Sequence, residues 1–236
     1  MSTGAPASPA LDINGLKFRY PGVEGDGWVV DVGRLRVERG EQVLLTGGSG
    51  VGKSTLLYLI AGLMEPAEGR VDVAGRHVHG LRGHQRDLYR GRTIGMIFQT
   101  FNLLHGFSAV ENVMAAMMFS ETKGDHREKA VGLLKHLGIE RVDADVMKLS
   151  VGQQQRVAVA RAMACDPVLV LADEPTASLD PENAGAAMEL IQGACREKGA
   201  ALVCVSHDPA MSGRFGRRET FVGLRAGETQ NSKSQI

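Results

Sequence analysis

The chain has 236 residues, with 27 Lys and Arg against 27 Asp and Glu, 43% apolar residues and three cysteines. That length suits one large α/β domain or a domain carrying an inserted lobe, and the apolar share supplies a full core. A formal charge of zero gives no reason to expect nucleic acid or an anionic membrane surface as the main partner, and no apolar run approaches the ~18 residues of a membrane span.

Residues 1–10 are rich in Ser, Ala, Gly and Pro, without the basic and apolar regions of a signal peptide, and read as a disordered lead. Residues 11–19 alternate apolar and polar and predict a strand running into the Pro21-Gly22 turn. Residues 28–31 and 34–38 predict two more antiparallel strands, and 42–46 a buried one. Next comes Gly47-Gly48-Ser49-Gly50-Val51-Gly52-Lys53-Ser54-Thr55, which fits G-x-x-x-x-G-K-[ST]. Glycines let a backbone turn tightly enough to bring several N–H groups onto phosphate oxygens. Lys53 adds a point charge at the β- and γ-phosphates, and Ser54 offers a hydroxyl to Mg²⁺. A helix over 56–62 would present its N-terminus to the anion. A nucleoside triphosphate is therefore the expected ligand.

Residues 70–74 predict a short strand. The stretch 77–92 is basic and carries His77, His79 and His84, and reads as solvated surface. Residues 93–98 predict an apolar strand ending at Gln99, and 100–107 a loop with exposed Phe101, Leu103, Leu104 and Phe107. Ser108 with Glu111 is a capping-box pattern. The helix it opens carries Val110, Val113, Met114, Met117 and Met118 at helical spacing, a core stripe that can also line a docking groove. A second amphipathic helix follows over 126–137. Residues from about 105 to 150 thus read as a helical lobe inserted in the α/β core. Ser150 opens a helix to about Cys165, and 168–172 is a continuous apolar run, a strand buried on both faces. Residues 181–198 predict a helix with Pro at its first turn. Residues 200–205 predict another buried strand and 220–224 a last one, before a polar tail over 226–236. Cys165, Cys195 and Cys204 lie in apolar or helical contexts at no metal-ligand spacing and read as reduced structural thiols.

Sites in open α/β proteins gather at the carboxyl ends of parallel strands. Besides the phosphate loop, three such ends carry polar groups: Gln99, Asp173-Glu174 and His207. Asp173 follows a buried run, as a Mg²⁺-holding Asp does, and Glu174 is suited to polarise an attacking water. Gln99 and His207 are each able to reach the γ-phosphate or that water.

One stretch remains: Leu149-Ser150-Val151-Gly152-Gln153-Gln154-Gln155-Arg156 resembles the LSGGQ signature of ABC (ATP-binding cassette) ATPases. The phosphate loop, Gln99, the signature, Asp173-Glu174, Ala177-Ser178-Leu179-Asp180 and His207 follow in the family's order, so the resemblance covers residues 11–224. It implies one ABC ATPase domain over 11–225, a P-loop NTPase core of parallel strands with an antiparallel β region before it. It further implies that Tyr20 stacks on adenine, and that Gln99 senses Mg²⁺ and couples to a membrane partner. Asp180 would join two active sites across a homodimer, and His207 would contact the γ-phosphate. Ser150, Gly152 and Gln153 would serve the ATP held by the second subunit. Val151 departs from the family's usual Gly. A β-branched residue resists positive φ, so slowed hydrolysis is an expectation. Residues 97–104 with Glu111-Asn112-Val113 resemble the subgroup serving lipoprotein release and macrolide or peptide export. The expected protein is an ATPase on the cytoplasmic face of the cell membrane, driving separate permease subunits. The competing readings are an importer ATPase, a weakly hydrolysing scaffold and, least, a P-loop kinase.

Overall fold

A computed structural model describes residues 8–22, 27–48, 50–177 and 179–224, without the side chains of 181 and 182. Most of the expected lead, Ser49, Ser178 and the tail over 226–236 lie outside these residues. Ala10 is already buried, and its carbonyl accepts a hydrogen bond from the Ala74 amide.

Strands β1 (Leu11–Phe18) and β2 (Val30–Val37) pair antiparallel. The two strands expected over 28–38 are one, because Asp31 and Arg34 keep the ladder register opposite Lys17 and Asn14. β4 (Glu68–Val73) and β5 (Arg76–His77) complete a four-stranded antiparallel sheet ordered β2-β1-β4-β5. The second sheet is parallel throughout. It contains β3 (Gln42–Thr46), β6 (Ile94–Ile97), β7 (Leu169–Asp173), β8 (Ala201–Val205) and β9 (Arg217–Thr220), in the order β6-β7-β8-β3-β9. The last strand is thus 217–220 and not 220–224: Phe221 leaves the ladder into the core, and Val222–Leu224 is a 3-10 turn.

Side chains in a strand alternate between faces, and the two cores follow that rule. Val43, Leu45, Leu169, Leu171, Val203 and Val205 belong to the core beneath the antiparallel sheet and helix α1 (Lys53–Ile60). Leu44, Val170, Ala172, Leu202 and Cys204 belong to the core on the opposite face. Helices α3 (Ala109–Phe119), α4 (His126–His136), α5 (Val151–Met163) and α6 (Pro181–Lys198) fill that second core. A parallel sheet covered on both faces needs near-continuous apolar strands, which explains why β7 and β8 are buried at every position.

Helix α2 (His84–Thr93) occupies the basic stretch. His84 is exposed there, but the His79 side chain is only 6% exposed, contrary to the expectation of a solvated surface. Its Nε2 donates to the Leu59 carbonyl in the last turn of α1 at 3.0 Å, an acceptor shared with the Gly62 amide that closes the helix. Phe101 also departs from expectation, since it is buried, while Leu104 and Phe107 are exposed.

Candidate active site

The strand order sets the site. Neighbouring strands lie about 4.8 Å apart, and β6, β7, β8 and β3 each end in a polar group. Gln99 follows β6, Asp173 and Glu174 close β7, His207 follows β8, and the phosphate loop follows β3. Four segments far apart in sequence are thereby set side by side. A cleft of about 380 Å³ at that edge is lined by Tyr20, Val29, Gly50, Gly52, Lys53, Ser54, Thr55, Gln99, Glu174 and His207.

The loop enters α1 through Gly52, at φ 101°. A Cβ there would lie 2.4 Å from the Val29 carbonyl oxygen, so both conformation and space demand glycine. Helices α3, α4, α5 and α6 are each capped by a side chain, but α1 has none, and no acidic residue lies in its first turn. Its first N–H groups are left for an anion. Lys53 is 94% withdrawn from solvent, at 6% exposure, and its Nζ donates to the carbonyls of Gly47 and Gly48 at 2.9 and 2.7 Å. These are neutral acceptors; a phosphate offers stronger, charged ones.

Ser54 Oγ donates to Asp173 Oδ1 at 3.0 Å. Burial pushes the Asp173 carboxyl up, and the charge of Glu174 adds to this, while the Ser54 hydrogen bond and the Lys53 ammonium oppose it. A buried carboxylate beside a hydroxyl, with the Gln99 amide on the same cleft, is a hard oxygen donor set of the kind Mg²⁺ uses with phosphate oxygens. Glu174 has φ 45°, rare for a residue with a Cβ, and its amide donates to the Val205 carbonyl. Backbone strain of this kind costs about 1–3 kcal/mol and clusters at functional positions. The Glu174 Oε1 accepts from His207 Nδ1 at 2.8 Å, a bond that assigns the proton to Nδ1 and leaves Nε2 as the imidazole's acceptor, on a ring that lines the cleft. Tyr20, 42% exposed, stands edge-on to Phe18, and its hydroxyl pairs with Thr55 Oγ1 at 3.0 Å.

The signature residues are elsewhere. Ser150 caps α5 in a full capping box with Gln153: its Oγ accepts from the Gln153 amide, and its amide donates to Gln153 Oε1. Ser150, Val151, Gly152 and Asp180 line a separate cleft of about 670 Å³ between α5 and α6. Among the described residues it shares no lining residue with the phosphate-loop cleft. Neither Val151 nor Gly152 has positive φ. Val151 is the first residue of an ordinary helix, so the conformational objection to a β-branched residue does not arise; its side chain is 51% exposed. Asp180 caps α6, accepting from the amide and side chain of Asn183. Gly47 lies against Phe221 and Val51, while Val51 packs on the core. Val29 was not legible as a site residue, because its contribution is a backbone carbonyl with no sequence signature.

Strand ends that converge on a phosphate loop, with a helical segment between β6 and β7, define a nucleoside triphosphatase of the ATP-binding cassette class. Residues 31–177 match the profile of the family described as ABC transporter. The chain is 40% identical over 190 residues to the lipoprotein-releasing system ATP-binding protein LolD 1 of Caulobacter vibrioides, covering 79% of this chain and 81% of that protein. It is 39% identical over 175 residues to the macrolide export ATP-binding/permease protein MacB of Chlorobium phaeobacteroides, covering 74% of this chain and 26% of that one. A solved dimeric structure of a post-hydrolysis state of the ATP-binding cassette MJ0796, bound to ADP and Pi, superposes with a TM-score of 0.78 at 32% identity, covering 89% of this chain and 93% of that chain. The chain belongs to the ABC transporter family, as an ATP-binding, ATP-hydrolysing subunit akin to the lipoprotein-release and macrolide-export proteins.

Proposed function

We propose that two copies of this chain close around two Mg-ATP and drive separate permease subunits, in an export or lipoprotein-release system at the cytoplasmic face of the cell membrane. The observation that carries the chemistry is the Glu174–His207 pair, 2.8 Å apart in the cleft that holds Lys53. Tyr20 stacks on the adenine. The amides of Gly47, Gly48 and residues 50–52 and the first turn of α1, with Lys53 and Thr55, hold the phosphates. Ser54, Asp173 and Gln99 hold the Mg²⁺. Held there, the ion would supply Lewis-acid positive charge to the phosphate chain. Glu174 polarises the attacking water, and His207 keeps the carboxylate in place on one side and reaches the γ-phosphate through Nε2 on the other.

The second cleft supports the paired arrangement. Ser150, Gly152 and Gln153 begin a helix whose free N–H groups suit a phosphate, yet none of them lines this chain's own Lys53 cleft. They serve the nucleotide of the other copy, with Asp180 between the two sites. The membrane partner is assigned to a groove of about 340 Å³ whose rim includes Met96, Phe98 and Phe119. Phe119 is 81% exposed at the end of α3, and the groove is continuous with the Gln99 segment through Asn102. A cytoplasmic segment of the permease is its occupant. That two relatives are named for lipoprotein release and for a fused ATP-binding/permease chain supports this reading.

The decisive test is Glu174→Gln. ATP affinity should stay within about threefold while phosphate release falls at least about a hundredfold, the loss of a positioned base. Turnover near that of the unaltered chain would exclude Glu174 from that role.

A further inference from the structure

The segment from Gln99 to Leu104 straps one part of the molecule to another. Gln99, at the end of β6, lines the nucleotide cleft. Two residues on, Phe101 and Asn102 take φ of 60° and 46°. Both are left-handed and neither is glycine; within the segment the Phe101 amide donates to the Phe98 carbonyl and the Asn102 amide to the Thr100 carbonyl, and contacts from outside add to these. Two side chains from outside the segment bond to its backbone. Arg161 of α5 donates Nη1 to the Asn102 carbonyl at 2.5 Å and Nη2 to the Phe101 carbonyl at 2.6 Å. Asn112 of α3, fully buried, accepts from the Leu104 amide at 2.7 Å and donates to the Leu104 and Ser108 carbonyls. Both anchors stand on helices that lie between β6 and β7 in the chain. A planar guanidinium can hold two successive carbonyls at once; an ammonium on a flexible stem cannot.

We infer that Arg161 is a positioning residue for Gln99: by gripping the carbonyls of Phe101 and Asn102, it ties the glutamine segment to the helix whose first turn carries the signature. An α-helix moves as one rod, so a displacement at Ser150 reaches Arg161 and the grip together. Asn102 and Arg161 also line the groove below Phe119, so an occupant of that groove touches the grip directly. The inference rests on the role proposed above for Gln99 at the Mg²⁺ site.

Arg161→Lys keeps the charge and loses the fork. Asn102→Pro, at an exposed position, forces φ to about −65° and breaks the same grip with Arg161 left in place. Two measurements separate positioning from mere stabilisation. In the nucleotide-free full chain, amide exchange at 101–104 should rise at least about tenfold in either variant, with β6 and α5 unchanged. In phosphate release, the Mg²⁺ concentration for half-activation should rise at least about threefold with the KM for ATP within about twofold, as in Gln99→Ala. Combining Arg161→Lys with Gln99→Ala should be no worse than Gln99→Ala alone, since the two act through one group. Faster exchange with unchanged Mg²⁺ dependence would make Arg161 a structural anchor and overturn the inference, as would unchanged exchange or effects that multiply. If Gln99→Ala itself leaves Mg²⁺ dependence unchanged, the role of Gln99 falls and the inference with it. If Gln99→Ala is impaired and both grip variants are normal, the inference alone falls.

Discussion

Single atoms decide much of this site. Gly52 has to turn at φ 101°, and the Val29 carbonyl stands where its Cβ would be. Gly52→Ala must therefore shift the Val29 segment leading into β2 or the loop itself, at a cost of about 1–3 kcal/mol. We expect ATP affinity to fall at least about tenfold, with the melting temperature lowered, in titration calorimetry and thermal denaturation. Val151 carries the opposite expectation. Glycine is not required at the first position of a helix, and Val151 lies there with its side chain half in solvent. Val151→Gly should leave phosphate release within about threefold, glycine costing the helix under about 1 kcal/mol at such a position. A large drop would mean that the isopropyl group packs against the second copy. Co-location was the most legible layer of the sequence: Lys53, Ser54 and Glu174, picked out for their side-chain chemistry, line one cleft, and their roles are those proposed above. Val29 and Arg161 were not legible: one acts through its carbonyl, and the other looks like any basic residue of an amphipathic helix.

Among the elements, the helix of the phosphate loop depends on a contact that periodicity does not reveal. His79 donates to the Leu59 carbonyl at the end of α1, and its Nδ1 lies 3.3 Å from Glu65 Oε2. Burial pulls the His79 pKa down, against the raising effects of Glu65 and the Leu59 hydrogen bond, while His77 lowers it further. A histidine with a depressed folded-state pKa is neutral in both states above the unfolded value of about 6.5, and the stability it permits is lost as pH falls below that value. The melting temperature should therefore drop between about pH 7 and pH 5, and His79→Gln should flatten that drop. An identical slope in the variant would remove His79 as the cause. The strands were legible where both faces are buried, as in β3, β7 and β8, because an unbroken apolar run has few alternatives. They were misread where the signal was a turn: Asp31 to Arg34 looks like a break but keeps its register, and Phe221 looks like a strand residue but is a core anchor. Ser108 was readable as a cap because a capping box is written in four consecutive residues; its box is formed, and Ser150, read only as the start of a helix, forms one as well.

At the level of the whole molecule, the order β6-β7-β8-β3-β9 cannot be read from one sequence, yet it alone brings Gln99, Glu174, His207 and Lys53 into one cleft. The paired arrangement makes a mass-action prediction: specific activity should rise with protein concentration, and Glu174→Gln with Mg-ATP should sediment at twice the mass of the chain. Activity independent of concentration, with a monomer at every loading, would rule that arrangement out. The separation of the two clefts has a further consequence for where ATP is spent. If the signature of one copy completes the phosphate-loop cleft of another, as proposed above, each chain by itself holds two half-sites and no whole one, in keeping with the two differently lined clefts. Free copies at low abundance would then meet too seldom to burn nucleotide. Two copies fastened to one permease would face each other at an effective concentration on the order of millimolar, with no new contact between them. Idling in solution and firing at the membrane would follow from tethering alone, without any inhibitor.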